Sequence, residues 1–516
     1  MLELDDSIGR IARGTSIAIV GVATGLVFNF SARLIIARYS LQAEYGIFSL
    51  SLAILNVAML LATLGFRQGA TRYIAFSRGR DDAAGVRGTI SASLRLTIAA
   101  GSCVGIAIFF AADTIATGIF HTSDLAIALK IFALSVPFFA LINVLAAVFR
   151  GFDRIEPQVY FEYIMLNMLF LLLLAVIVSI GLPFITILYA YLASLVVTFA
   201  VFAVFSIRKL PQMAGSLEMK RASPVTKDLL LFSLPLLGAV ILTGVMNWIN
   251  TLMLGHFRTP EAVGLYNAAH PLAQFIAEPL VALLLIYTPI ATGLYSRNRM
   301  SELRRDYTVL VKWLMVITLP IFLVLFLFPE AVIRLFFGAG YVEAGTALRV
   351  LSFGFIIGNL SGPNRGTLVA LGHARFLMWT TLAAVLLNVV LNIFLIPLLG
   401  IVGAAIAFAT SIILTNVVRS ARVYLLCHAN PLSRNLLKPA VVCVLLAFVI
   451  QGIAQSFLTI TWWLLLVLFV VYVGIYGIAT LLTKSLDRED IALLLEIEKR
   501  TGINTGPLKR ILRRFV

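Results

Sequence analysis

Long apolar runs alternate with short charged connections from Thr15 to Thr483. Each run holds a window of about 20 residues with few or no charges, enough at ~1.5 Å per residue to cross a ~30 Å hydrocarbon core. Read between charge clusters, the spans fall at 15–37, 46–66, 89–111, 126–149, 159–180, 184–206, 228–252, 263–291, 306–328, 343–370, 375–396, 402–427, 436–455 and 461–483. The apolar character is continuous within each run instead of alternating residue by residue. The runs therefore read as helices, and an outer-membrane-type barrel is excluded. The pattern predicts an all-α polytopic membrane protein with about 14 transmembrane helices. The first run follows Arg10 and Arg13 as a signal peptide would, but it lacks a small-x-small cleavage site and ends on Arg33 and Arg38, so it reads as a span.

Composition fixes the solvent. Hydrophobic residues make up 61% of the chain and charged residues 12%, against roughly 25% charged in a soluble domain. The formal net charge of +16 is not accompanied by a basic stripe interleaved with aromatics, so no nucleic-acid partner is expected. The cations follow the membrane instead. The N-terminal tail carries two Lys or Arg, the connections after spans 2, 4, 6, 8, 10 and 12, counted with the adjoining span residues Lys312, Arg365, Arg375, Arg419, Arg422 and Lys438, carry 5, 2, 5, 5, 2 and 4, and the C-terminal tail carries eight, which gathers 33 of the 40 on one side. Six fall on the other side, namely Arg33, Arg38, Lys130, Arg258, Arg334 and Arg349, while Arg95 lies within span 3. By the positive-inside rule, both termini are expected in the cytoplasm of a multi-pass cell-membrane protein. The opposite connections at Gly181-Leu182-Pro183, Pro397 to Ile401 and Ser456 to Ile460 are too short to hold an extracytoplasmic catalytic domain.

An internal echo divides the chain. Glu44-Tyr45-Gly46-Ile47-Phe48 opens span 2 and Ala262-Val263-Gly264-Leu265-Tyr266 opens span 8, each after a polar stretch with Arg38 or Arg258. Aligning Gly46 with Gly264 gives an offset of 218 residues and six spans, so the two units share one orientation, as in transporters built from parallel repeats. The expected organisation is an N-terminal six-helix lobe (1–206), a cytoplasmic linker (207–227), a C-terminal six-helix lobe (228–427), an appended transmembrane hairpin (428–483) and a cytoplasmic basic tail (484–516). In that tail Ser485 or Asp487 can cap a short helix through Lys499. After Gly506-Pro507, Lys509, Arg510, Arg513 and Arg514 mix with bulky apolar residues and would lie on anionic membrane lipids.

Polar residues within the spans are the candidate chemistry, because each needs a protein-lined or wet environment. Glu278 lies midway along span 8 beside Pro279, which leaves a carbonyl of the preceding turn without its usual partner. A broken helix next to a carboxylate reads either as a hinge or ion-sensitive site, or as a structural acid facing a neighbouring helix. Arg33, Arg95, Arg349 and Arg365 form the cationic set, able to grip phosphate oxygens. Arg33 stands out because Asn29 lies one turn earlier on the same face; the alternative is that it reaches to the outer headgroups. Arg365 follows Gly362-Pro363-Asn364, where the helix is expected to break. Asn388 and Asn392 share a face of span 11 and read first as helix–helix glue, then as cavity residues.

Several chemistries have no motif here. The sequence contains no GxxxxGK[ST], HExxH, GxSxG or CxxC pattern, so no enzymatic activity, cofactor or metal is expected. Cys103, Cys427 and Cys443 lie in or at the ends of apolar runs and read as small core residues.

Several segments carry a resemblance: Gly264-Leu265-Tyr266-Asn267-Ala268-Ala269 with Pro289, Phe336-Phe337-Gly338-Ala339-Gly340-Tyr341, Ala370-Leu371-Gly372-His373, and above all Asn388, Asn392, Ile396-Pro397 and Gly400-Ile401-Val402-Gly403-Ala404-Ala405-Ile406-Ala407. Together they resemble the polysaccharide-biosynthesis exporter branch of the multidrug/oligosaccharidyl-lipid/polysaccharide flippase superfamily. The resemblance implies two six-helix lobes in a V-shaped transporter fold, alternating access, and translocation of a lipid-linked oligosaccharide bearing phosphate or diphosphate. It implies a phosphate-binding role for Arg33 by position, and less directly for Arg349, Arg365 and Arg95. It also implies glycosyltransferases as candidate partners and coupling by proton, sodium or membrane potential. Drug-exporting relatives place an acid in the first helix, where this chain offers Asn29 and Arg33. Two rival readings stay open: a proton- or sodium-coupled exporter of small amphipathic compounds, and a non-transporting scaffold or scramblase. The Asp487-Arg488-Glu489-Asp490-Ile491 segment resembles archaeal members.

Overall fold

The computed structural model describes residues 2–213 and 226–430, together with 438, 441–447, 449, 451–452, 467 and 470–478. Every regular element among them is helical. The first spans are α1 (Leu2–Tyr39), α2 (Gln42–Ala62) with α3 (Phe66–Arg78), α4 (Ala83–Thr114) running into a π-helical turn (Ile115–Ile119), and α5 (Leu125–Gly151). Next come α6 (Glu156–Gln158), continued by a π-helical turn (Val159–Met165) into α7 (Leu166–Ile180), then α8 (Ile185–Met213). The second series is α9 (Thr226–Phe257), α10 (Pro260–Gln274) with α11 (Glu278–Ser296), α12 (Met300–Leu327) and α13 (Pro329–Phe336). After a 3-10 turn (Ala339–Ala344) follow α14 (Gly345–Leu360), α15 (Asn364–Ala370), α16 (Ala374–Leu399) and α17 (Ile401–Cys427).

Among the described residues 11 helices are long and apolar enough to cross a membrane, or 12 when the bent α11 is taken as one span. They overlap the first twelve expected spans, the seventh and eighth only in their second halves. About half of the residues in the expected spans at 436–455 and 461–483 lie outside the described residues, and the tail at 484–516 wholly so. The described parts of the former pack Cys443, Ala447, Tyr472 and Tyr476 against Leu323 of α12. Cys427 and Cys443 are buried as expected, whereas Cys103 is exposed on α4.

Helix boundaries repeat at the spacing of the two glycine motifs. α1 and α9 end at Tyr39 and Phe257, α2 and α10 open at Gln42 and Pro260, α3 and α11 end at Arg78 and Ser296, and α6 and α16 open at Glu156 and Ala374, each pair 218 residues apart. Contacts group the chain into two compact units, Ile17–Gly264, and Leu265–Val516 with Met1–Ser16. The first has a core of Ile142, Phe149, Leu195 and their neighbours, with Phe161 stacked on Phe202 at 4.3 Å between ring centres. Within this unit α9 lies against α2, where Gly244 meets Leu60 and Gly255 meets Leu50.

The paired glycines also meet each other's strands of backbone. A β-carbon at Gly46 would overlap the Pro260 carbonyl, and one at Gly264 would overlap the Gln42 carbonyl. Exchanging Gln42 with Pro260 and Gly46 with Gly264 carries one contact into the other, which is a local two-fold relation. Only glycine lets the helix starts approach so closely. Because the obstacle is backbone on both sides, Gly46→Val should lower the unfolding midpoint of the purified protein, at a cost of about 1–3 kcal/mol. An unchanged midpoint would mean that α2 and α10 do not cross there.

Candidate functional site

In the first unit a cation sits among aromatic rings. Arg33 of α1 is half-buried and donates through Nε to Asn29 Oδ1 at 3.1 Å, the i,i+4 pairing that the spacing predicts. Its guanidinium also hydrogen-bonds Tyr45 of α2, a fully buried side chain that meets Ser49 as well, and Tyr191 of α8 lies within its electrostatic reach. Tyr191 stacks on Phe132 at 5.2 Å and meets Phe170 edge-on at 5.2 Å, and Phe48 joins the same group. The partners of Arg33 are thus neutral oxygens set in an apolar wall. They fix the guanidinium without cancelling its charge, and its remaining N–H groups match the oxygens of a phosphate.

A second polar group occupies the basic end of the same unit. Arg67 of α3 pairs with Glu162 at 2.8 Å; Glu162 also accepts from Gln158 Nε2 at 2.8 Å, and Arg150 of α5 donates to the Arg67 carbonyl at 3.1 Å. Glu162 lies on the π-helical turn, whose wide spacing is common at functional or strained places in helices. Its side chain is only 11% exposed, against 34% for Arg67, so the pair is partly desolvated. The two arginines and one carboxylate leave one excess positive charge. Sequence reading treated Arg67 and Arg150 as loop cations and passed over Glu162. The available signal was a carboxylate inside the otherwise uncharged run 159–180.

The second unit shows how broken spans are closed. α10 ends at Gln274 and α11 starts at Glu278, with Pro279 in its first turn, where a missing N–H is harmless. Asn359 Nδ2 of α14 donates to the Ile276 carbonyl within the break at 2.6 Å, and Gln274 Nε2 donates to Glu278 Oε1 across it at 2.9 Å. The expected break at Gly362-Pro363 is also present, with Gly362 at φ +69°. Its Ser361 carbonyl accepts from Tyr307 at 2.7 Å and from Ser420 at 3.2 Å. Asn364 bridges to Asn416 of α17 at 3.0 Å.

The remaining candidates are dispersed. Arg349 donates to the Phe326 carbonyl at the end of α12 at 3.0 Å and lies 3.8 Å from Glu330. Arg95 on α4 and Arg365 on α15 are exposed. Asn392 donates to Asn388 at 2.9 Å, with both side chains fully buried. The structure therefore brings Asn29 and Arg33 together, and Glu278 and Pro279 together. Arg33 belongs to one unit, and Glu278, Arg349 and Arg365 to the other.

Comparisons with known proteins bear on this arrangement. A family model described as polysaccharide biosynthesis protein matches residues 11–295, and the MatE model matches residues 235–394. The teichuronic acid biosynthesis protein TuaB of Bacillus subtilis is 29% identical over 24% of this chain and 26% of its own. The probable low-salt glycan biosynthesis flippase Agl15 of Haloferax volcanii is 25% identical over 34% of this chain and 37% of its own. The chain thus spans only 26% and 37% of the length of these two curated relatives. Among solved structures, lipid II flippase MurJ in an inward closed conformation superposes with a TM-score of 0.67 at 13% identity, covering 89% of this chain and 97% of that one. An inward-facing multidrug resistance MATE family transporter gives 0.69 at 15%, covering 81% and 98%. These likenesses place the chain in the same transporter fold.

Two substitutions test the polar closures. Asn359→Leu leaves the Ile276 carbonyl without its donor and should cost about 1–3 kcal/mol in unfolding experiments. Glu162→Gln removes the counter-charge of Arg67 and should cost on the order of 2 kcal/mol, between the limits for exposed and buried pairs. Wild-type stability in either variant would contradict the corresponding contact.

Proposed function

Because the chain belongs to the polysaccharide biosynthesis protein family, we propose that it is a flippase carrying a lipid-linked oligosaccharide or polysaccharide precursor from the cytoplasmic to the outer leaflet by alternating access. The observation that supports this most directly is Arg33, held by Asn29 and Tyr45 in an aromatic wall with no carboxylate partner among the described residues. A phosphate or diphosphate at that position would meet an undiminished positive charge, while the prenyl tail stays in lipid. The lobes 1–206 and 228–427 then rock against each other, with both termini and the basic connections facing the cytoplasm. The tail at 484–516 rests on anionic lipid there, and glycosyltransferases that make the glycan are its natural suppliers. Proton, sodium or membrane potential supplies the drive.

One observation favours a second reading. The MatE match spans Glu278, a carboxylate at a helix break hydrogen-bonded to Gln274. A cation-coupled exporter of small amphipathic compounds would use it, and drug-dependent proton or sodium flux abolished by Glu278→Gln would establish that reading instead.

Translocation of labelled lipid-linked oligosaccharide in proteoliposomes tests the flippase directly. Arg33→Ala should slow it by about tenfold or more, the loss of one charge-assisted contact. Unchanged flipping by Arg33→Ala removes that residue from the mechanism, and no flipping by the unaltered protein removes the mechanism itself.

A further inference from the structure

We propose that Arg365 and Arg419 form a binding site for the phosphate of an anionic lipid at the basic ends of α15, α16 and α17. Arg419 of α17 donates through Nε to Thr380 Oγ1 at 3.0 Å and through Nη2 to Thr381 Oγ1 at 2.8 Å. Both threonine hydroxyls in turn donate to the Leu377 carbonyl, at 3.0 and 2.7 Å. Two neutral acceptors on α16 therefore orient the guanidinium and leave its charge intact, with Nη1 still open to an acceptor. The charged neighbour acting on it is another cation, Arg365, carried to the same place because Asn364 is bonded to Asn416 and Ser420 on either side of Arg419.

A partly buried guanidinium with a second, exposed one beside it favours an anion between them. Among the described residues neither arginine makes an ion pair with a carboxylate. The sequence gives a reason: no Asp or Glu occurs between Glu343 and Asp487. Further cations lie at the same ends. Arg375 is exposed at the start of α16, and Arg422, one turn beyond Arg419, sits over the Phe376 ring at 5.8 Å. Arg419 is eight residues from the end of α17 at Cys427, roughly 12 Å along the axis. That depth lies near the boundary of headgroups and hydrocarbon, within reach of a long arginine side chain. The occupant is accordingly a lipid phosphate with net negative charge, gripped by a fork and a second guanidinium. The inference requires only that these helices lie in a bilayer and does not rest on the flippase reading.

The test is thermal unfolding of the full-length protein in neutral detergent, titrated with short-chain phosphatidylglycerol, phosphatidylcholine of the same chain length, and a short polyprenyl phosphate. An anionic lipid should stabilise at about tenfold lower concentration than phosphatidylcholine. Arg419→Gln and the exposed, fold-neutral Arg365→Gln should each remove that preference, and Arg419→Lys should keep part of it as a point charge without the fork. A response to phosphatidylglycerol alone identifies a bilayer phospholipid as the occupant, and a response to polyprenyl phosphate alone identifies a prenyl-linked one. A preference that persists in both Gln variants, or is missing from the unaltered protein, overturns the site.

Discussion

Hydrocarbon offers no water to an interrupted helix, so every carbonyl freed inside a span has to find its donor within the protein. The second unit meets this demand twice with side chains from other helices. Asn359 closes the gap before Glu278, and Tyr307 with Ser420 closes the gap at Ser361. These closures let a span stop and restart without exposing backbone to lipid. A discontinuous helix is in turn what places Glu278 at a helix start and Asn364 against α17.

The same demand falls on charge, and the chain answers it in two different ways. Arg67 is neutralised by Glu162, which makes that group an internal tie between α3 and the turn after α6. Arg33 and Arg419 are instead held by amide, phenol and hydroxyl oxygens, which orient a guanidinium but do not discharge it. A neutralised pair stabilises the fold, whereas an oriented and undischarged cation is prepared for an anion from outside the chain. The proposed phosphate recognition rests on that difference more than on the number of arginines.

Much of the fold was legible because the length of an apolar run states directly whether a helix can span. Pro279 and Gly362-Pro363 announced their breaks, and the spacing of Asn29 and Arg33 announced their contact. The break at Leu64 and Gly65 carried no proline and was not foreseen; there the chain turns through positive φ at both residues. Tyr45 and Tyr191 were hidden for another reason, since they reach Arg33 from other helices, Tyr45 from α2 and Tyr191 from α8. Drawing span boundaries at charges also assigned Arg67 and Arg150 to connections, although α3 runs on to Arg78 and α5 to Gly151. Snorkelling cations and buried ones look alike in sequence, and only the partners separate them.

The central claim is that the aromatic wall around Arg33 receives a lipid-linked phosphate during transport. Thiol accessibility measures this most directly, with Asn29→Cys introduced into a chain whose 3 native cysteines are replaced, in oriented proteoliposomes. A membrane-impermeant thiol reagent should modify the new cysteine, and lipid-linked oligosaccharide should slow that reaction while the same lipid without phosphate does not. Modification at one rate regardless of substrate, or none from either face of the membrane, would contradict the account.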